Sequence, residues 1–339
     1  MRKIQKIAII RLSSIGDIIL TTALIRCVYN KYPDAKISFI VKSAFYDLLK
    51  YNPHISEIIT FDKNTGFKGL LELRKKIKKQ KFDWFIDIHN NIRSNILKRG
   101  IGISLKTRYH KRIFKRTMLV KLNINRYPDT KLVLLRYFEA AGKMNVSYDQ
   151  KGTDVLFSEK EALKVSSFLK SAGYDESKIA VICPGASYKN KQWLITGFTE
   201  VTGFLLDQNY QVVLLGGKND FDTCQEINEL GKFNCLNLAG KMSLLESAAL
   251  LKHSKITITN DSGMMHMAQS QNSPIVAIFG PTTKELGYFP MPENSEVVEI
   301  DVPCRPCTHK GLNHCPKGHF QCMKNINSEM VVQKIRKFM

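Results

Sequence analysis

The sequence predicts an α/β protein built as two doubly wound domains. Two observations predict it. Short apolar runs fit for buried parallel strands alternate with longer amphipathic segments, the pattern of repeated βα units. That pattern pauses at a helix over 159–172 and the loop after it, which carry the domain junction, and then restarts in a 339-residue chain. A chain this long carries two domains by default, each large enough to bury its own core. Apolar residues at 44% and charged residues at 24% are globular proportions and argue against long disorder. We expect a first domain over 1–155, a second over 156–325 and a closing helix over 326–339.

The elements follow in order. Residues 6–11 are a short apolar run suited to a first strand. Ser13, Ser14 and Gly16 turn the chain, and Asp17 opens a helix to about residue 30. Strands are expected at 37–41 and 57–61, then a helix at 66–80 with lysines on its exposed face. Residues 84–88 are a strand, and a helix begins near Arg93. Residues 102–129 lack periodicity and read as a long basic loop, a kind of segment that is commonly functional. A helix at 159–172 precedes the restart. The second series has strands at 179–183, 211–215, 256–259 and 275–279. Its helices run from the polar loop 184–191 to residue 208, from near Asp220, and over 243–252 and 262–270. A helix at 328–338 ends the chain. Two such domains facing each other would form a cleft at the carboxyl ends of their strands, where open α/β sheets bind ligands.

Charge narrows the function. Lysine and arginine total 51 against 30 acidic residues, a net charge of +21. Residues 1–150 hold 31 basic and 11 acidic side chains, whereas residues 151–339 hold 20 and 19. From Lys98 to Arg136 there are twelve basic residues and a single acid, Asp129. A solvated basic face is one reading, and a surface for an anionic ligand is the better one, because the excess follows the expected domain division. The apolar stretch 7–25 is broken by Arg11 and Asp17. It is neither a spanning helix nor a signal peptide, so we expect a cytoplasmic protein whose cysteines are thiols or metal ligands.

Three segments carry chemistry. Arg11-Leu12-Ser13-Ser14-Ile15-Gly16-Asp17 joins the first strand to the first helix. Free N–H groups at a helix start can hold an anion. Asp17 has two open roles: a helix cap, or a carboxylate that takes a proton from a hydroxyl. Asn260-Asp261-Ser262-Gly263-Met264-Met265-His266 follows an apolar strand and opens a helix, a natural diphosphate seat, with Gly280-Pro281-Thr282 at the same strand ends. His266 taken alone is more often a core histidine than a ligand contact. Pro184-Gly185-Ala186-Ser187 precedes Lys191-Gln192-Trp193. Gly185 admits close backbone approach, Ser187 can bond an oxygen, and Lys191 can neutralise charge on a leaving phosphate. The dinucleotide fingerprint G-x-G-x-x-G is missing from the first turn and from Gly216-Gly217, which weakens an oxidoreductase reading.

These segments, in this order, resemble the ADP-heptose:lipopolysaccharide heptosyltransferases, glycosyltransferase family 9. The likeness extends over almost the whole chain: R-L-S-S-I-G-D, D-I-H-N-N-I-R-S at 87–94, P-G-A-S with K-Q-W, L-L-G-G, N-D-S-G-M-M-H, F-G-P-T and a cysteine-rich tail. The resemblance implies two Rossmann-like domains in the GT-B arrangement, the first binding the acceptor and the second the nucleotide sugar. It implies inverting, metal-independent transfer. Asp17 would be the general base, with Lys191 stabilising the diphosphate and Ser187 beside it. Asp261, Ser262, Gly263, Met264 and His266 would bind the donor. Arg93 matches a basic acceptor contact; Ser14, Gly16, Arg108 and Arg112 complete the expected acceptor set. After L-L-G-G the family often has an acidic residue for ribose hydroxyls. Here Lys218-Asn219-Asp220 follows, making Asp220 the candidate, and the basic loop leaves Lys189 as a rival to Lys191.

Cys304, Cys307, Cys315 and Cys322, with His309, His314 and His319 interspersed, are a set that could ligate zinc tetrahedrally. Their spacing is not a paired C-x2-C module, and structural or redox-active thiols are favoured over zinc, so no cofactor is expected. The expected partners are an ADP-sugar, an anionic glycolipid and, peripherally, the inner face of the cytoplasmic membrane. Two alternatives stay open: the same fold with another nucleotide-sugar donor or surface-glycan acceptor, and a nucleic-acid-binding module. The second rests on charge alone, without a helix-turn-helix, RNP or zinc-finger pattern.

Overall fold

In the computed structural model, residues 4–339 are described; residues 1–3 of the expected first domain lie outside them. The chain forms two compact units. One is Met1–Arg112 with Val133–Leu156, and the other is Ile113–Leu132 with Phe157–Met339.

The first unit contains β1 (Lys6–Ile10), α1 (Ile15–Lys31), β2 (Lys36–Lys42), β3 (Glu57–Phe61), α2 (Gly66–Gln80), β4 (Trp84–Asp87), α3 (Ile92–Lys98) and β5 (Leu105–Arg108). After α4 (Ile113–Leu122), which clusters with the second unit, it closes with α5 (Val133–Tyr137). Its sheet is wholly parallel in the order β3-β2-β1-β4-β5. The order reverses between β1 and β4, so the turns leaving these two strands open on the switch point where such sheets receive ligands. The core packs Ile10, Ile40, Phe85 and Leu97 against Leu70, Leu73 and Ile77 of α2. Those three apolar positions repeat at helical spacing, and the lysines of α2 lie mainly on its other face.

The second unit contains α6 (Glu159–Ser171), β6 (Ile179–Cys183), α7 (Ile195–Asp207), β7 (Gln211–Leu214), α8 (Phe221–Gly231), β8 (Leu236–Asn237), α9 (Leu244–His253), β9 (Ile256–Asn260), α10 (Gly263–Ser270), β10 (Ile275–Phe279), β11 (Ser295–Glu299), α11 (Gln321–Lys324) and α12 (Ser328–Ile335). The sheet order β11-β10-β9-β6-β7-β8, again all parallel, has its switch point between β6 and β9. Ile326, Val331, Val332 and Ile335 join this unit's core, so the end of the chain is part of the unit rather than an appendage.

Several expectations need correction. The segment 102–129 is not one aperiodic loop, since it holds β5 and α4. β5 is a short edge strand of alternating half-buried and exposed residues, and α4 buries only Leu119, so neither has a clear apolar pattern. The same segment's residues 113–132 cluster with the second unit. They take five basic side chains and one acid away from the charge assigned to the first domain. β8, β11, α5 and α11 were not anticipated; β8 has two residues and β11 buries only Val298. No helix among the described residues is long and apolar enough to cross a membrane.

Candidate functional site

In the first unit the turn after β1 is built around one carboxylate. Ser14 is the extended N-cap of α1, and Asp17 Oδ2 accepts from the Ser14 N–H at 3.2 Å and the Ser14 hydroxyl at 2.9 Å. The same oxygen pairs with Arg11 at 2.6 Å. Oδ1 accepts from the Tyr137 hydroxyl at 2.8 Å. Asp17 therefore does cap its helix, and it does so within a buried polar cluster. Burial pushes its carboxyl up, but the Arg11 guanidinium, Tyr137 hydroxyl and Ser14 amide outweigh burial and hold the pKa down to about 2. Arg11 also lies 5.5 Å from the Tyr137 ring centroid, and Tyr109 meets that ring edge-on.

The turn after β4 adjoins this cluster. Arg11 donates to the Ile88 carbonyl at 2.8 Å. Asp87 is fully buried and paired with Lys98 at 2.6 Å, and it accepts from the N–H groups of His89 and Asn90. The expected acceptor residues are spread around this region. Gly16 is buried, and Arg93 and Arg108 are exposed. Arg112 is tied to Glu139 at 2.8 Å.

In the second unit, Asn260 joins the two turns at the switch point. Its Nδ2 donates to the Pro184 carbonyl at 2.6 Å, and its Oδ1 accepts from the Trp193 N–H at 3.1 Å. Next to it, Asp261 Oδ2 pairs with Lys191 Nζ at 2.5 Å and accepts from the Thr282 hydroxyl at 2.8 Å. Three sequence segments thus converge on one carboxylate. Ser262 is the N-cap of α10 and accepts from the Met264 N–H at 3.2 Å. Gly263 and Met264 are half-buried and His266 is buried one turn on. Lys189, like Ser187, is exposed, so Lys191 and not Lys189 meets the Asn260–Ser262 turn.

Asp220 lies against the same loop. Its Oδ2 accepts from the Gly217 N–H at 2.8 Å, and burial raises its pKa. A Cβ on Gly185 would come within 2.3 Å of its carboxyl carbon, so only glycine lets these turns approach.

The cysteine-rich segment braces the Lys191 turn from behind. Asn190 N–H donates to the Leu312 carbonyl at 3.1 Å, and Leu312 N–H donates to Asn190 Oδ1 at 2.8 Å. Cys304 Sγ is 3.7 Å from His319 Nε2. Burial, then neighbouring thiols, push Cys307 up to about 11; burial does the same for Cys322. Among the described residues no group of three or more His, Cys, Asp or Glu is arranged to hold a metal ion.

The model of glycosyltransferase family 9 (heptosyltransferase) matches residues 70–316. The chain belongs to glycosyltransferase family 9. A curated relative, the lipopolysaccharide core heptosyltransferase OpsX of Haemophilus influenzae, is 27% identical over 81% of this chain and 79% of its own. Among solved structures, a family 9 glycosyl transferase of Veillonella parvula superposes with a TM-score of 0.82 at 23% identity, covering 100% of this chain and 98% of its own. The E. coli ADP-heptose lps heptosyltransferase II superposes with a TM-score of 0.74 at 24% identity, covering 98% of each chain. This family 9 chain shares their GT-B fold.

Family motifs pointed to Asp17, Lys191 and Asp261. Sequence reasoning did not find the roles of Arg11, Tyr137 or Asn260. Arg11 and Asn260 stand inside quoted motifs and were findable. Tyr137 lies in a five-residue helix far along the chain and carries no local signal.

Proposed function

We propose that this protein transfers heptose from ADP-heptose to the lipopolysaccharide inner core, to a Kdo-lipid A or heptosyl-Kdo-lipid A acceptor, with inversion and without a metal ion. The observation that carries the reading is the Lys191–Asp261 pair at 2.5 Å, which stations an ammonium beside the N-terminus of α10. A diphosphate is well received by such a helix start. The Haemophilus relative acts by name on the lipopolysaccharide core, and the E. coli structure is named for ADP-heptose; both names support the donor and acceptor class.

The acceptor hydroxyl attacks the anomeric carbon, the bond from that carbon to the diphosphate oxygen breaks, and ADP leaves with the electron pair. Lys191 neutralises the departing charge, with the Gly263 N–H as a further donor, while the Met264 N–H, held by Ser262 Oγ at 3.2 Å, orients that hydroxyl toward the donor. Asp261 holds Lys191 in position, Asp220 takes the ribose hydroxyls, and Ser187 and Ser262 bond donor oxygens. His266 lines the donor seat. Asp17 takes the acceptor proton. With a pKa of about 2 it is ionised at neutral pH but weakly basic. Proton transfer therefore follows carbon–oxygen bond formation, once the attacking hydroxyl has become strongly acidic.

Ser14 and Gly16 form the acceptor-side turn. Arg93 and Arg108 are exposed cations for acceptor anions, while Arg112 must leave Glu139 to join them. α4 adds a membrane contact: Ile113, Phe114 and Leu122 are exposed among Lys115, Arg116 and Lys121, and such a mixture suits the anionic inner face of the cytoplasmic membrane. The test offers purified protein a panel of nucleotide sugars with Kdo-lipid A and follows product mass. Addition of one heptose from ADP-heptose alone is expected. Transfer of a different sugar, or none from ADP-heptose, overturns the reading.

A further inference from the structure

Arg305 stands in the cysteine-rich segment, and its side chain is only 4% exposed. Its guanidinium has three partners. Nη2 pairs with Glu299 Oε2 at 2.6 Å and donates to the Thr282 carbonyl at 2.8 Å, and Nη1 donates to the Ile300 carbonyl at 2.5 Å. Glu299 is the last residue of β11, and Thr282 lies in the turn after β10, the strand beside it. One planar fork therefore ties the end of β11 to the turn that follows β10. A lysine has no such fork and cannot reach all three partners.

The tie ends on the site. The Thr282 hydroxyl donates to Asp261 Oδ2 at 2.8 Å, the same oxygen that pairs with Lys191 at 2.5 Å. The relay thus has three links: Arg305 to the Thr282 backbone, the Thr282 side chain to Asp261, and Asp261 to Lys191. Arg305, Thr282 and Asp261 are all buried, so no water competes freely for these contacts and each holds its partner stiffly. The same segment also reaches the ammonium side, because Leu312 exchanges two hydrogen bonds with Asn190, next to Lys191. Carboxylate and ammonium are both held from one stretch of chain.

We propose that Arg305 is a positioning residue for transfer: by pinning the Thr282 carbonyl it fixes the hydroxyl that shares Asp261 Oδ2 with Lys191, and so holds the ammonium where the leaving diphosphate gathers charge. The proposal rests on the reading of Lys191 as the cation that neutralises that charge. Arg305 itself touches no substrate. Its effect passes through Thr282 and Asp261, and a group misplaced by roughly 1 Å loses much of its catalytic effect.

The experiment uses the full chain, with ADP-heptose and Kdo-lipid A as substrates, at a temperature where circular dichroism shows each variant folded. Arg305→Lys keeps the charge and loses the fork. Its kcat is expected to fall about tenfold. Its ADP-heptose KM should stay within about twofold of wild type, because the charge that Lys191 meets develops only in the transition state. The same substitution made in Lys191→Ala should change kcat by less than about twofold, since no ammonium is left to position. An equal fall in both backgrounds is what a merely structural arginine would give, and it overturns the proposal. So does an Arg305→Lys kcat within about twofold of wild type. Should Arg305→Lys or the double variant not fold, Thr282→Val decides alone, because it removes the hydroxyl in the middle of the relay. A loss of kcat at unchanged ADP-heptose KM upholds the relay, and a wild-type kcat overturns it. Lys191→Ala separates the two readings. If it impairs transfer while Arg305→Lys and Thr282→Val do not, only the Arg305 proposal fails. If Lys191→Ala transfers normally, the reading of Lys191 itself is wrong.

Discussion

The Tyr137 hydroxyl donates a 2.8 Å hydrogen bond to Asp17 Oδ1 across 120 residues of sequence. Asp17's other oxygen is held by Arg11 and Ser14, so both oxygens of the carboxylate accept from fixed donors. Tyr137→Phe removes a donor that lowers the Asp17 pKa, which must then rise from about 2. The acid limb of the transfer–pH profile should move to higher pH. The bared oxygen should also cost about 1 kcal/mol of stability. A pH–rate series with thermal denaturation checks both.

Asp17→Asn preserves size and removes the proton acceptor. Transfer should fall by ~10²–10⁴ while ADP binding, measured by calorimetry, stays at its wild-type value. Turnover close to wild type would leave Asp17 as a helix cap and nothing more.

Lys191→Ala should impair transfer and also destabilise the fold, because Asp261 is buried and would lose its counter-charge. Breaking such a pair costs on the order of 3 kcal/mol, moderated by the remaining Thr282 hydrogen bond. Lys189→Ala, at an exposed position, should change neither much. Rates and melting temperatures of the two variants compared side by side give the answer, and loss confined to Lys189→Ala would reverse the assignment.

Salt should weaken the acceptor more than the donor. Arg93 and Arg108 are exposed, and exposed charges are screened over roughly 8 Å at physiological ionic strength. The acceptor KM should climb with salt and in Arg108→Gln, while the ADP-heptose KM changes little. Equal effects on both substrates would reduce the basic surface to a solvated face.

Acid should loosen the first unit through Arg26. This guanidinium bonds both oxygens of Asp149, at 2.7 and 2.9 Å, and pairs with Asp154. The Arg26 hydrogen bond is the main reason the Asp149 pKa falls from 3.8 to about 2. A depressed carboxyl stabilises fully above its unfolded value, and the contribution disappears as pH falls through the folded one. Stability should therefore drop between about pH 4 and pH 2, and Arg26→Gln should flatten that drop. Denaturation midpoints across this range measure it.

The buried strands were the legible part of the chain. Residues 179–183 and 275–279 are apolar runs bounded by polar turns, and each is a strand with those limits. Both sheets' inner strands follow from such runs. The edge strand β3 was also legible at 57–61, but β5, β8 and β11 were not: β5 buries none of its residues, β8 has two residues, and β11 buries only Val298. At the site, local motifs identified Lys191 and Asp261 but not their pairing, which depends on Asn260 tying β9 to the turn after β6.

The chain passes between its two units three times, after Arg112, Leu132 and Leu156. A genetic exchange at a single junction cannot therefore swap one unit cleanly. A chimaera carrying residues 1–156 from one relative and the remainder from another would import a foreign α4, with Asn123 lying 3.4 Å from the Pro303 carbonyl of the host half. Recombination that respects the units needs three seams, with residues 113–132 inherited alongside residues 157–339. Two-part libraries cut near residue 156 should yield mostly poorly folded proteins, whereas three-seam versions should recover soluble ones.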